Sequence, residues 1–223
     1  VVMYWKNIFP FTNKKDRGYK KTGFLSHVDK NIMGMWGKIL VACIPAAVIG
    51  LLFDDKINEL FYNPTVIAIA LIVFGIAFIF IENWHKSRKS EPRVNNALQI
   101  TYRDALIIGV FQLIAAIFPG TSRSGATIIG GLLIGLSRVT AAEFTFYLAI
   151  PVMFGASLLK LIKFGLAFTG TELAILIVGM VVAFIVSVLV IKFLMSYIKK
   201  HDFKVFGWYR IILGILVLAT LVF

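Results

Sequence analysis

The sequence has few of the residues that crosslink small secreted domains or bind transition metals. Cys43 is its only cysteine, which excludes an intrachain disulfide and every metal site that needs several thiolates. Its three histidines, His27, His85 and His201, lie in separate predicted loops. None has a histidine partner at the helical spacing of four residues, so a histidine-based metal site is not expected.

Charged residues are also scarce, and acidic ones most of all. All charged residues together make up 15% of the 223 residues, against roughly 25% in an average soluble domain, while hydrophobic residues reach 59%. Eleven Asp and Glu stand against 23 Lys and Arg, which gives a net charge of +12. Because the basic residues lie between apolar runs, an anionic lipid surface explains this charge more simply than nucleic acid does.

Long apolar segments are what the sequence has in abundance. Each is close to the roughly 20 residues that a hydrocarbon core about 30 Å thick requires, and each is apolar on all faces, unlike a helix of a soluble bundle. The predicted spans cover residues 36–53, 65–81, 141–159, 171–191 and 207–223. The sequence therefore predicts an all-α, polytopic integral membrane protein with a single membrane domain over residues 1–223.

Lys and Arg in the loops predict the orientation of these spans. The basic segment 1–35 and the basic loop 86–103 are expected in the cytoplasm, and the acidic loop 54–59 outside. Only Lys160 and Lys163, in a loop expected outside, run against this scheme. The sequence opens without an initiator Met or a signal peptide, so we expect it to be incomplete at its N-terminus.

The stretch 104–136 differs from the spans because Pro119 and Gly120 divide it into two apolar halves. Each half is short for a full crossing, which predicts a re-entrant hairpin whose irregular backbone lines a cavity. Pro119 is expected to end the first half-helix, and Gly120 to permit the turn. Any of the three hydroxyl residues that follow could cap the second half-helix, namely Thr121, Ser122 and Ser124.

Arg123 stands at this break in an otherwise apolar segment. An arginine near the bilayer centre costs about 2.5–3.5 kcal/mol even on the lenient insertion scale, so it needs a function or an anion. Free N–H groups of a helix N-terminus, hydroxyls and a guanidinium together predict an anion site for phosphate oxygens, to which Gln112 could add an amide. Alternatively, the hydroxyls only cap a kink, and Arg123 snorkels or pairs with a buried acid.

Two neighbouring features have structural interpretations. Gly130, Gly131 and Gly135 predict close helix packing behind the anion site. Thr140 and Glu143 have the spacing of a capping box, which would give the Glu143 carboxylate a local partner and argues against a catalytic role.

The broken segment contains the run Pro119-Gly120-Thr121-Ser122-Arg123-Ser124-Gly125-Ala126-Thr127. With this run the sequence resembles the undecaprenyl-diphosphate phosphatase family, of the bacitracin-resistance type, whose signature is PGxSRSxxT. Residues 44–50 and 142–151 also look like the family. The resemblance implies a bacterial plasma-membrane enzyme with an inverted repeat and two re-entrant hairpins. It would remove the terminal phosphate of a C55 polyprenyl diphosphate at the outer face, recycling the lipid carrier for cell-wall synthesis.

The resemblance also implies roles for individual residues. The implied catalytic residues are Ser122, Arg123 and Thr127, and the implied substrate contacts are Gln112, Gly120, Thr121 and Ser124. Ser122 would be either the nucleophile or only an oxygen ligand. The implied partners are the polyprenyl diphosphate and membrane lipids, with a homodimer left open.

One part of the family pattern is absent. The family's E/QxxxE pair, with its Ser/Thr-rich turn and His, has no counterpart here, since Gln112 is followed four residues later by Ala116. Those carboxylates would supply a general base or hold a divalent cation, Mg²⁺ or Ca²⁺, whose ligands are therefore unknown. A transporter or flippase of a polyprenyl phosphate would need the same anion site without a base, and a protein that only binds the lipid carrier is a third hypothesis.

Overall fold

The computed structural model describes residues 1–11, 29–87, 91–165 and 169–222. Within these ranges the chain forms eight α-helices and two short 3-10 turns, which confirms the all-α prediction. The helices are α1 Trp5–Ile8, α2 Lys30–Phe61, α3 Pro64–Ser87, α4 Tyr102–Ile117, α5 Arg123–Leu133, α6 Arg138–Phe164, α7 Gly170–Ile198 and α8 Lys204–Val222. His27 and most of the cations of the basic segment 1–35 lie outside the described residues.

Five of these helices, α2, α3, α6, α7 and α8, are long and apolar enough to cross a membrane, so the protein is a multi-pass membrane protein. They coincide with the five predicted spans but extend beyond them, because polar turns continue each helix past its apolar part. α2, for example, has 32 residues. In the most apolar stretch of α7, no residue is buried against the described part of the chain, as expected of a helix that faces lipid.

Glycines bring α3 and α8 into backbone contact. A Cβ atom on Gly75 would lie 2.7 Å from the carbonyl oxygen of Gly207, and one on Gly214 would lie 2.8 Å from that of Ala68. These pairings run in opposite directions along the two helices, so α3 and α8 are antiparallel. Small residues at such contacts are typical of helix packing in membranes. The contact holds the first half of α8 against the first half of α3.

The two ends of the α4–α5 hairpin meet on one side of the bundle. The backbone N–H of Val94, before α4, donates to the carbonyl of Gly135, after α5, at 3.3 Å, and the N–H of Ser137 donates to the carbonyl of Val94 at 2.9 Å. Arg93 reaches Asp104 in the first turn of α4, at 2.6 Å. The chain therefore leaves the hairpin where it entered it, as predicted for a re-entrant segment. At 1.5 Å per residue, α4 and α5 are only about 24 and 16 Å long.

The tip of the hairpin lies near the opposite end of the bundle. Gly120 packs against Ile67, in the first turn of α3, and the ring of Phe118 contacts that of Phe61 at 5.0 Å between centroids. Ile67 is about 30 Å along α3 from Ser87 at the helical rise. The hairpin thus extends along most of the length of the bundle, and both of its ends lie on the same side.

The predicted glycine packing behind the hairpin is confirmed for two of its three members. A Cβ on Gly130 would lie 2.7 Å from Phe111 in α4, and one on Gly131 would lie 3.0 Å from Ala141 in α6. Gly135 does not belong to a helix face. It lies beyond the end of α5 with a φ of +87°, a left-handed conformation that favours glycine and turns the chain toward α6.

The predicted capping box of Thr140 and Glu143 is wrong. α6 begins at Arg138, and its N-cap is Ser137, whose Oγ accepts a hydrogen bond from the Thr140 N–H at 3.2 Å. Thr140 is therefore the third residue of α6. It is not the residue before the helix whose side chain caps the free N–H groups of the first turn. Thr140 and Glu143 have the residue types and the spacing of a capping box, but the turn after Gly135 starts the helix three residues earlier.

Candidate active site

The turn between α4 and α5 is built from residues with restricted backbones. α4 ends at Ile117 because a residue before proline is disfavoured in helical conformation, and Phe118 is extended. Gly120 has a φ of +89°, and a Cβ there would lie 2.6 Å from the carbonyl oxygen of Ile67. Ser122 has a φ of +63° and is the one non-glycine residue with positive φ in the described part of the chain. Such strained positions cluster at functional sites.

Ser122 caps α5, which decides among the three hydroxyl residues that the sequence left open. Its Oγ accepts a hydrogen bond from the Gly125 N–H at 3.3 Å and lies 3.2 Å from the Oγ of Ser124. Ser122, Arg123 and Ser124 are all exposed at the helix N-terminus, where free N–H groups and the positive end of the helix dipole favour an anion.

Four of the predicted site residues line one pocket of about 300 Å³ between α4, α5 and α6. They are Gln112, Arg123, Ser124 and Thr127. The other wall is the middle of α6, with Thr145, Phe146, Ala149, Val152 and Met153. We call this cavity the Arg123 pocket.

Gln112 supplies a hydrogen-bond donor without an acceptor. Its side chain is 4% exposed, and its Nε2 has no hydrogen-bond partner among the described residues. A buried polar group left unpaired costs about 1–3 kcal/mol, so such groups normally have a partner. An anion in the Arg123 pocket would accept this bond.

Arg123 also lacks a charged partner. Its Nη2 approaches only the sulfur of Met153, at 3.0 Å, and within the described ranges no carboxylate lies within ion-pair distance of it. The alternative that Arg123 answers a buried acid is therefore not supported by the residues the structure describes. The guanidinium is exposed toward the pocket and available to a ligand.

Thr127 is held inside the helix packing. Its Oγ1 donates to the carbonyls of Arg123 and Ser124, at 3.0 and 3.1 Å, and lies 2.9 Å from the Oγ1 of Thr145 in α6. Thr127 is 2% and Thr145 6% exposed. Sequence analysis missed Thr145, because this residue lies in a mostly apolar predicted span and far from the run at residues 119–127.

Ser122 faces a second cavity of about 320 Å³ on the other side of the α5 N-terminus. Ser124 lines both cavities, whereas Arg210 of α8 lines only this one. We call it the Arg210 pocket. Its remaining wall is mostly apolar and consists of Leu71, Phe78, Gly125, Ile128, Leu194, Phe203, Phe206 and Tyr209.

Arg210 is a site residue that sequence analysis missed. Its Nη1 donates to the carbonyl of Thr121 at 2.8 Å, and its Nη2 to that of Gly120 at 2.9 Å. It was detectable, since a lone arginine in a predicted span is costly and marks a functional position. The signal was overlooked because Arg210 lies near the start of its span, where a cation is also explained by topology.

Thr121 and Gly120 line neither pocket. Thr121 is fully buried, and its Oγ1 has no partner among the described residues. Both residues contact Arg210 through their carbonyls. Their proposed contact with substrate stays a prediction.

The donor set of both pockets fits an anion and does not fit a divalent cation. Mg²⁺ and Ca²⁺ prefer carboxylate oxygens, whereas these pockets contain two guanidinium groups, five hydroxyls and one amide. Across the described residues no group of three His, Cys, Asp or Glu could hold a metal. Glu143 lies outside both pockets. We therefore derive no step through a metal ion.

Comparison with known proteins agrees with this chemistry. The family described as "Bacitracin resistance protein BacA" matches residues 1–216. The chain is 65% identical over 218 residues to an undecaprenyl-diphosphatase of Desulfitobacterium hafniense, an alignment that covers 98% of this chain and 74% of the relative. It is 59% identical to undecaprenyl-diphosphatase 1 of Clostridium acetobutylicum, over 98% of this chain and 76% of that one. A third relative, an undecaprenyl-diphosphatase of Enterococcus faecalis, is 57% identical over 98% and 75%.

Proposed function

The chain belongs to the family of bacitracin resistance protein BacA, and from that premise we propose that its Arg123 pocket binds and hydrolyses undecaprenyl diphosphate. The reaction consumes one water and gives undecaprenyl phosphate and inorganic phosphate. The bond between the terminal phosphorus and the bridging oxygen breaks, and the lipid phosphate leaves with that oxygen. The names of the relatives favour this phosphatase activity over transport or mere binding of the lipid.

The observation that carries the proposal is that, within the described part of the chain, one pocket holds both a buried donor without an acceptor and a guanidinium without a carboxylate. Gln112 is buried without an acceptor, and Arg123 is without a carboxylate among the described residues. Phosphoryl transfer depends mainly on positioning and on charge stabilisation by groups held in place beforehand. Arg123 offers the planar fork that matches two phosphate oxygens, and the α5 N-terminus adds backbone N–H groups.

In this proposal Ser122 meets the terminal phosphorus or holds one of its oxygens. Its Oγ is exposed at the boundary of the two pockets, 3.2 Å from Ser124, which lines both. As nucleophile it would form a phosphoserine that water then hydrolyses; as ligand it would orient the phosphate for direct attack by water. The proton acceptor is not among the described pocket residues, which include neither His nor carboxylate.

We further propose that the pocket opens toward the outer face of the plasma membrane. The end of the hairpin bonds to Val94, in the described part of the loop 86–103, which basic residues assign to the cytoplasm. The tip lies near the start of α3, about 30 Å from that side at the helical rise. A homodimer and a divalent cation stay predictions.

The experiment is phosphate release from undecaprenyl diphosphate by the purified full chain carrying Arg123→Lys. Lysine keeps the charge but loses the bidentate fork, so we expect turnover to fall at least about 100-fold, in the range of a lost transition-state donor. Arg103→Lys, on an exposed residue in the first turn of α4, is the matched control and should retain normal turnover. Normal activity of Arg123→Lys would contradict the proposed site.

A further inference from the structure

Arg210 is a buried cation without a counter-ion. It is 8% exposed, and within the described ranges no carboxylate lies within ion-pair distance of it. Its two hydrogen bonds, to the carbonyls of Gly120 and Thr121, use two of the five N–H groups of a guanidinium. The ring of Phe78, 6.0 Å from its Cζ, adds only a weak attraction. Neutral partners satisfy some donors but do not neutralise the charge.

The groups around Arg210 are arranged for a phosphoryl group. Ser122 and Ser124 contribute hydroxyls to the same pocket, next to the N-terminus of α5. The arginine is also held in place, because its carbonyl contacts fix the guanidinium against the turn. A preorganised cation beside hydroxyls is typical of a phosphate site.

The two pockets flank one helix end and share Ser124, with one arginine in each. A diphosphate likewise has two phosphoryl groups joined by one oxygen. The walls of both pockets are mostly apolar, but they differ in the side chains that surround the arginine. The Arg123 pocket includes the polar side chains of Gln112, Thr127 and Thr145, whereas the Arg210 pocket includes a larger set of aliphatic and aromatic side chains, among them Leu71, Phe203 and Phe206.

From this arrangement we infer that Arg210 binds the phosphoryl group that carries the polyprenyl chain, while Arg123 binds the terminal phosphoryl group. This inference rests on the proposed function. The apolar wall of the Arg210 pocket then accommodates the first isoprene units, and the scissile bond lies over the N-terminus of α5, near Ser122. Arg210 would in this way discriminate a lipid diphosphate from inorganic phosphate.

The test measures binding, so that it does not depend on residual activity. Two probes are titrated calorimetrically into the purified full chain: farnesyl phosphate, as a short polyprenyl monophosphate, and inorganic phosphate. We expect Arg210→Gln and Arg210→Lys to weaken farnesyl phosphate about 10- to 100-fold, as for loss of a charge-assisted contact, and to leave inorganic phosphate within about twofold. Arg123→Lys should show the reverse pattern, and Arg103→Gln should change neither.

Several outcomes would overturn the inference. One is that both Arg210 variants bind farnesyl phosphate normally while their thermal unfolding temperature falls, which would make Arg210 only a brace for the turn. Another is that they weaken inorganic phosphate instead. If Arg123→Lys also left inorganic phosphate binding unchanged, the proposed function itself would fail, which is a distinct result.

The unmodified protein provides a second measurement if the Arg210 variants do not fold. Two subsites predict that saturating inorganic phosphate leaves farnesyl phosphate binding within about threefold, because the ligands occupy different pockets. Mutually exclusive binding would contradict the assignment of the two phosphoryl groups to two arginines.

Discussion

The Oγ1 atoms of Thr127 in α5 and Thr145 in α6 lie 2.9 Å apart in the buried wall of the Arg123 pocket. Thr127→Val leaves the Thr145 hydroxyl without this partner, so we expect a loss of about 1–3 kcal/mol in the free energy of unfolding. The double variant Thr127→Val/Thr145→Val should recover part of that loss. A double-mutant cycle from unfolding in detergent measures the coupling, and strictly additive effects would refute it.

Ser122 and Thr127 are expected to differ in their effects on catalysis. If Ser122 is the nucleophile, Ser122→Ala stops turnover while binding of a non-hydrolysable analogue persists, whereas Thr127→Ala leaves a measurable rate. Phosphate release and analogue titration distinguish these results. Equal, partial losses in both variants would instead indicate direct attack by water.

That comparison needs a control for the lost helix cap, since Ser122 also caps α5. Ser137→Ala removes the equivalent cap of α6, away from both pockets, at a similar cost of about 0.5–2 kcal/mol in stability. It should keep near-normal turnover. A loss of activity as large as that of Ser122→Ala would assign the whole effect to helix stability.

The hairpin tip should be reached from outside the cell. Gly120 and Thr121 are unsuitable reporters, because one has no room for a Cβ and the other is fully buried. Phe118→Cys in a Cys43→Ala background should instead react with an impermeant maleimide from the outer face, since Phe118 is 37% exposed at the tip. Arg103→Cys, at the base, should react only in inverted vesicles. Labelling of both from the same face would contradict the topology.

The buried ion pair at the base of the bundle should respond asymmetrically to substitution. Glu82 is fully buried and accepts hydrogen bonds from the Arg138 guanidinium and, at 3.4 Å, from the Phe203 N–H, so it joins α3, α6 and the start of α8. Arg138→Gln leaves an uncompensated buried charge and should cost about 3–5 kcal/mol in the free energy of unfolding. Glu82→Gln should cost less, because the Arg138 side chain is 29% exposed and reaches solvent.

Unfolding of the detergent-solubilised protein by denaturant measures both variants. The exposed pair of Lys204 and Asp202, 3.8 Å apart, serves as control, and Asp202→Asn should change stability by at most about 1 kcal/mol. A larger effect of Glu82→Gln than of Arg138→Gln would contradict the argument from burial.

The spans and the broken hairpin could be predicted from the sequence because their causes are local. Hydropathy within about 20 residues decides whether a helix crosses a bilayer, and Pro119 with Gly120 ends α4 through its own backbone restrictions. The capping box predicted at Thr140 also rested on a local signal, but a second local signal outweighed it. Its spacing was correct, but Ser137 lies closer to the turn and starts the helix first.

The composition by itself determined a membrane protein, and the run at residues 119–127 predicted a phosphate-type site at Arg123. Only the tertiary structure decided which groups surround that site. Arg210 meets Gly120 because glycines let α3 and α8 touch, and Thr145 meets Thr127 because α6 packs on α5. Contacts between residues so far apart in sequence depend on how whole helices pack, and the local sequence around either partner does not encode that packing.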